Sequence, residues 1–203
     1  MGVRRFFRGL RYALDAVLGI VLGFVLALFL GGMILTFGTV KELTIQNSWY
    51  ALLNFGQADE SWFQLACDSY LDPAVNAPEE AIYWWCTKDG DGNDLDSANN
   101  YVLHFPPGGT PPNNAFWSLT MTDTTRRMVA HPAGIYSVSS HSDLVPNADG
   151  SIDIYIQNAP PAGHESNWLP APEGKFELSL RIYWPGPSAL NGEYQMPPVK
   201  KVS

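Results

Sequence analysis

Between Ala16 and Phe37 the sequence reads AVLGIVLGFVLALFLGGMILTF, a 22-residue run without a charge. A helix rising about 1.5 Å per residue crosses a hydrocarbon core about 30 Å thick in that length. Residues 13–37 therefore read as one uncleaved transmembrane helix. A secretory signal would carry an apolar region of about 7–15 residues ending at a small-x-small cleavage site. Here the run is longer, and Thr36-Phe37-Gly38 is a poor site.

Charge divides the chain at the same place. Arg4, Arg5, Arg8 and Arg11 precede the run, and a basic flank stays in the cytoplasm by the positive-inside rule, which makes residues 1–12 a cytoplasmic N-terminus. From residue 38 onward eight Lys and Arg face nineteen Asp and Glu. An acidic domain repels phosphates, so nucleic acid is not an expected partner. Asp15, close to Arg11, reads as an interfacial residue. Within the run, Gly19, Gly23, Ala27 and Gly31 recur every four positions and share one helix face. Small side chains there let a second backbone approach, so the expected partners are the bilayer and a transmembrane helix of another membrane protein or a second copy.

Residues 38–78 read as a membrane-proximal segment. Trp49 and Tyr50 fit an aromatic belt at the interface. Residues 58–71 space Trp62, Phe63, Ala66, Cys67 and Tyr70 as one short amphipathic helix, with Asp59 and Glu60 at its N-terminus and Asp72-Pro73 and Ala77-Pro78 stopping it. After Glu80 short β-branched and aromatic runs alternate with Gly, Pro, Asn and Asp. The predicted strands are 81–87, 101–105, 116–122, 134–139, 151–157 and 176–184. Ile152, Ile154 and Ile156 alternate with Asp153 and Tyr155, and Phe176, Leu178, Leu180 and Ile182 alternate with Glu177, Ser179 and Arg181. Two sheets packed face to face would bury both stripes, which predicts an antiparallel β-sandwich over 79–203. Pro106-Pro107, Pro111-Pro112, Pro160-Pro161 and Pro170-Ala171-Pro172 are placed between strands.

Few residues point to chemistry. Cys67 and Cys86 are the two cysteines, and the residues leave two alternatives: a disulfide tying the helix to the first strand, or two buried thiols. Asp89 to Asp96 resembles a calcium loop only superficially, because Asp94 stands where an EF-hand needs Gly and Asn100 where it needs Glu. A solvated hairpin turn is expected there. His104, His131, His141 and His164 are scattered, without the spacing of a metal site. His141 and Asp143, flanked by Ser139, Ser140 and Ser142, can be drawn as a nucleophile and base, but no strained-elbow motif supports them. Arg126-Arg127 reads as a solvated turn. No phosphate loop or dinucleotide fingerprint is present, and no cofactor is expected.

The stretches Ala115–Asp123, Asn147–Gln157 and Asn167–Gly174 through Phe176–Trp184, then Pro187, Ala189, Leu190 and Pro197–Lys200, resemble the bacterial domain of unknown function 1214 family over roughly Glu79 to Val202. That resemblance implies a jelly-roll-like β-sandwich behind an N-terminal membrane segment, or at the end of longer exported proteins, with no accepted reaction. Trp117, Asn167, Trp168, Pro170 and Trp184 would be its signature residues, holding loops and packing the core. The resulting expectation is a domain on the periplasmic side of a bacterial inner membrane, acting as a non-catalytic interaction module or accessory subunit. An envelope hydrolase or small-ligand-binding sandwich is the alternative.

Overall fold

The computed structural model describes residues 2–40, 43–57, 61–71 and 76–202. They divide into two compact units, one holding the N-terminal helix and residues 60–73, the other holding residues 42–59 and 74–203.

In the first unit α1 runs from Gly2 to Val40, and its stretch Phe7–Phe37 is long and apolar enough to span a membrane. The helix thus extends past residues 13–37 at both ends and includes the basic flank. A second helix, α2 (Trp62–Leu71), packs in the same unit. The Ser61 hydroxyl accepts the Gln64 N–H at 3.2 Å and so caps its first turn. Asp59 and Glu60, expected at this terminus, and Asp72-Pro73 lie outside the described residues. Of the apolar positions Trp62 is 82% exposed, while Asp68 is buried and accepts a bond from Gln64 Nε2 at 3.0 Å. The helix exists as read, but its spacing did not reveal which side it buries.

The second unit is a β-sandwich. Its six-stranded sheet is ordered β1 (Leu43–Gln46), β2 (Trp49–Leu52), β3 (Ala81–Cys86), β9 (Glu177–Pro185), β5 (Asn113–Thr122) and β6 (Ser137–Ser139). The four-stranded sheet is ordered β10 (Val199–Val202), β4 (Asn100–Phe105), β7 (Ile152–Gln157) and β8 (Trp168–Pro170). All pairs are antiparallel except β7 with β8. Both apolar stripes meet as expected: Ile154 and Ile156 from one sheet and Leu178, Leu180 and Ile182 from the other share one core. Each fully buried aliphatic side chain contributes about 1.5–3 kcal/mol.

The sandwich begins well before residue 79. Asn47 and Ser48, at φ 47° and 70°, form the two-residue turn of the β1–β2 hairpin, whose handedness matches strand twist. Trp49 is therefore not part of an interfacial belt. It is fully buried in the core, and its Nε1 donates to the Pro197 carbonyl at 2.8 Å. Asn47 Nδ2 and the Ser48 hydroxyl donate to the carbonyls of Met196 and Asp89, so the hairpin is bound to chain far away in sequence. Pro170 also differs from its reading as a loop residue. It ends β8, an edge strand, where its missing N–H leaves no ladder bond unmade. Between β7 and β8 a 3-10 turn (Glu165–Asn167) carries the chain, and a single helical turn, α3 (Pro187–Leu190), follows β9.

Candidate functional site

Strand alternation sends Ile82, Trp84 and Cys86 of β3 into the core and Tyr83 and Trp85 outward. Tyr50 of β2 stands directly opposite Trp85 in the ladder. The outer face of the six-stranded sheet therefore carries an aromatic cluster, with Tyr50 and Trp85 centroids 5.8 Å apart and Tyr83 and Trp85 centroids 6.1 Å apart, all near parallel. A second cluster lies farther along this face, where Phe116 stacks on Tyr183 at 4.3 Å and on His141 at 5.1 Å. Arg181, on the same face, donates to the Thr120 hydroxyl at 3.0 Å.

The first cluster is clamped from outside by a turn. Asp123 accepts bonds from the Thr125 hydroxyl, the Thr125 N–H and the Arg127 N–H, which hold its carboxyl below the usual range and fix the turn. Arg126 sits on this turn at φ 62° with its guanidinium 5.4 Å over the Trp85 ring, a cation–π contact, and Nη2 donates to the Tyr50 hydroxyl at 3.3 Å. The Arg126-Arg127 turn is thus more than a solvated loop.

Beneath the guanidinium lies Glu177. Its Oε2 is buried without a hydrogen-bond partner, and Arg126 Nε stands 3.8 Å away, too far to donate. Burial pushes this carboxyl above its usual range; Arg126 opposes the rise and Asp123 adds to it. A carboxyl whose folded pKa is raised adds stability below its unfolded pKa of about 4.3, and that contribution is lost as the pH climbs through the folded value. At neutral pH the ionised group is therefore a burden. Glu177→Gln is expected to melt higher than the wild type at pH 7, with the two curves converging below about pH 4. A lower melting temperature for the variant at pH 7 would show instead that Arg126 makes the charge favourable.

The loop from Asp89 to Asp96 is self-satisfied. Asp89 is buried, and its Oδ1 accepts the Asp91 and Asn93 N–H groups at 3.0 and 2.8 Å. Asp94, exposed, is held at about 2 by hydrogen bonds and ion pairs from Lys175 at 2.7 Å and Lys88 at 3.0 Å. Among the described residues no group of three or more His, Cys, Asp or Glu is gathered as metal ligands. Cys86 is a free, buried thiol bonded to the Lys88 carbonyl at 2.9 Å, and burial pushes it up to about 12. For Cys86 this is the buried-thiol alternative; the Cys67 side chain lies outside the described residues.

The four histidines have four different partners. His104 Nδ1 is 2.6 Å from Asp153 Oδ1, His131 meets the edge of Trp168, His141 stacks on Phe116, and His164 lies against Tyr155. None of these contacts joins two histidines. The serines around His141 serve the backbone: Ser139 Oγ accepts the His141 N–H and Ser142 Oγ accepts the Ser139 N–H. The drawn nucleophile–base pair is thus used as turn chemistry, with the His141 ring on an aromatic. His131 also lines a shallow cleft with Met121, Ile135, Pro170 and Pro172 that has room for about one water molecule, far less than the roughly 300–1,000 Å³ of small-molecule sites.

The signature residues divide. Trp117 is 2% exposed; Trp168 is buried and donates Nε1 to the Gln157 carbonyl. Buried Asn167 donates to the carbonyls of Val145 and Asp153 and accepts the Val145 N–H, which ties a loop to β7. Pro170 is buried in β8. Trp184 departs from the core-packing reading: it is 62% exposed with φ 48°. Sequence reading also missed the Tyr50–Trp85–Arg126–Glu177 group. Its one local sign was the outward position of Trp85 within a strand-like run.

These features define a two-sheet β-sandwich following a helix of membrane-spanning length. Residues 80–187 match the family described as "Protein of unknown function (DUF1214)", more than half of the chain, and the chain belongs to that family. The fold is similar to the crystal structure of the VPA0106 protein from Vibrio parahaemolyticus, with 30% identity, a TM-score of 0.63, and coverage of 71% of this chain and 36% of that one. A putative uncharacterized protein from Burkholderia cenocepacia aligns at 18% identity and a TM-score of 0.47, covering 67% of this chain and 33% of that one. The chain thus spans about a third of the length of these structures. A search of curated proteins found no match.

Proposed function

We propose that this chain is a single-pass membrane protein with its N-terminus in the cytoplasm and its sandwich on the periplasmic side of a bacterial inner membrane, working as a non-catalytic interaction module or accessory subunit of a membrane complex. The observation that carries the reading is the partition of charge about α1: four Arg before the uncharged run and a strongly acidic domain after it. The recurrence of Gly19, Gly23, Ala27 and Gly31 along the helix supports close approach of another helix. A Cβ added at Gly19, Gly23 or Gly31 meets nothing within 4 Å in this chain, so a larger residue there perturbs association without disturbing the protein's own packing. Tagged full-length protein purified in gentle detergent is expected to carry a membrane partner that Gly23→Leu releases. Co-purification unchanged in the variant would end the accessory-subunit reading.

One observation favours a small-ligand or hydrolytic site instead. Asp153 holds the His104 ring, and its Oδ2 accepts Asn147 Nδ2 at 2.9 Å, the orienting half of an acid–base set. The contacts of that group supply no nucleophile: the neighbouring Ser151 hydroxyl donates to Asp149 at 2.6 Å.

A further inference from the structure

Trp184 contradicts its own strand. Along β9 the side chains of Leu178, Leu180 and Ile182 are fully buried, and two-residue alternation assigns position 184 to the same inner face. Instead the backbone turns to φ 48°, in the left-handed region that a bulky residue rarely adopts, and the indole is 62% exposed. The Trp184 N–H donates to the Glu80 carbonyl at 2.8 Å, so the turn is fixed. Strain held in place to present a large aromatic ring points to a use for that ring.

The register shows where the ring is. Leu43 opens β1 opposite Leu52, the end of β2; Ala81 opens β3 opposite Tyr183; and Asn113 opens β5 opposite Pro185. Trp184 therefore lies at the end of the sheet where β1 and β3 begin and β2 finishes. The strand termini that lead on to the segments containing α1 and α2 are all at this end: the start of β1, the finish of β2 and the start of β3. Only Lys41 and Glu42 separate Val40 of α1 from Leu43, three Cα–Cα steps that reach at most about 11 Å. In the sheet β1 and β9 are three strand spacings apart, about 14 Å. Tryptophan is enriched at the bilayer interface because its ring is apolar with one polar N–H. Glu79 and Glu80 beside it are exposed carboxylates that disfavour anionic headgroups.

We propose that this end of the sandwich rests on the bilayer and that Trp184 enters the headgroup region of zwitterionic lipid, fixing the domain against the surface that its anchor crosses. The proposal rests on α1 being the membrane anchor.

The test uses full-length protein carrying 5-fluorotryptophan in phosphatidylcholine nanodiscs, with the Trp184 resonance assigned by its absence in Trp184→Phe. Trp184→Gly, which accepts a positive φ, serves if the phenylalanine variant is misfolded. Loss of the Trp184 signal with headgroup-nitroxide lipid, together with its survival in a soluble gadolinium chelate, is the expected result. Loss in the chelate alone overturns the proposal, and so does survival in both, which would place the ring against protein. Alkaline carbonate extraction separates the two claims: release of the protein removes the anchor itself, whereas retention with an unquenched Trp184 removes only the lipid contact.

Discussion

Trp117→Ala should lower the melting temperature of the sandwich by roughly 6–20 °C, the largest effect expected of a single substitution here. Trp117 is 2% exposed on the inner face of β5, paired with Ile182 and with its ring centroid 5.5 Å from that of Phe105 in the opposite sheet. Removing it leaves a cavity lined by both layers. Truncating a buried Trp or Phe costs about 3–5 kcal/mol, because transfer energy is lost and the walls relax only in part. For a chain of this size each kcal/mol shifts the midpoint by about 2–4 °C. The measurement is near-ultraviolet circular dichroism of the full-length protein in detergent. Met128→Ala is the control: Met128 is 68% exposed, and truncation there should change stability by about 0.5 kcal/mol or less. A Trp117 variant melting within a degree or two of wild type would mean that this layer does not carry the fold.

Asp89→Ala is expected to cost about 1.5–3 kcal/mol, through lost hydrogen bonds rather than lost volume. The buried carboxylate accepts two backbone N–H groups and the Asn93 amide; these donors belong to the exposed residues Asp91 and Asn93, which water reaches once the carboxylate is gone, so the loss is that of a charged hydrogen-bond acceptor and not of donors stranded in the interior. The loop also carries contacts for others: the Gly90 N–H donates to Val199 of β10, and the Asp89 carbonyl accepts the Ser48 hydroxyl of the β1–β2 turn. Asp89→Asn, which keeps an acceptor oxygen, should lose less. The pH profile distinguishes the carboxylate from mere packing. Burial pushes the Asp89 carboxyl up, but the bonds from Asn93 and Asp91, together with the Lys201 charge, outweigh it and leave the group below its usual range. A depressed pKa contributes stability above the unfolded value of about 3.9 and loses it as the pH falls through the folded value. The gap between wild type and Asp89→Ala should therefore be full at pH 6 and shrink below about pH 4. A gap that does not change with pH would assign the loss to packing alone. Glu177 runs the other way, so the two substitutions are expected to give pH profiles of opposite sign.

How much was legible follows from the range of the forces concerned. The helix of membrane-spanning length was plain because length and the absence of charge are properties of a contiguous run. The stripes of β7 and β9 were equally plain, since a period of two is local and only the inward set can be apolar. The β1–β2 hairpin was missed for a complementary reason. Its aromatics suited a membrane interface as well as a core, and what placed Trp49 inside was a bond to Pro197, 148 residues away. The Arg126–Trp85–Tyr50 clamp was hidden in the same way, because it joins three separate segments across the sheet.

Family resemblance marked Trp117, Asn167, Trp168, Pro170 and Trp184 alike, yet the fold assigns them different work. Asn167 holds a loop by three bonds, Trp117 fills the core, and Trp184 is turned outward by a single positive φ. The sequence by itself determined a membrane-length helix, a two-sheet sandwich and the residues of its inner stripes, because hydrophobic transfer and strand alternation act between near neighbours. The tertiary structure alone decided which of the signature tryptophans are buried and which is presented, because backbone handedness at one residue and hydrogen bonds between distant segments leave no periodic trace in the chain.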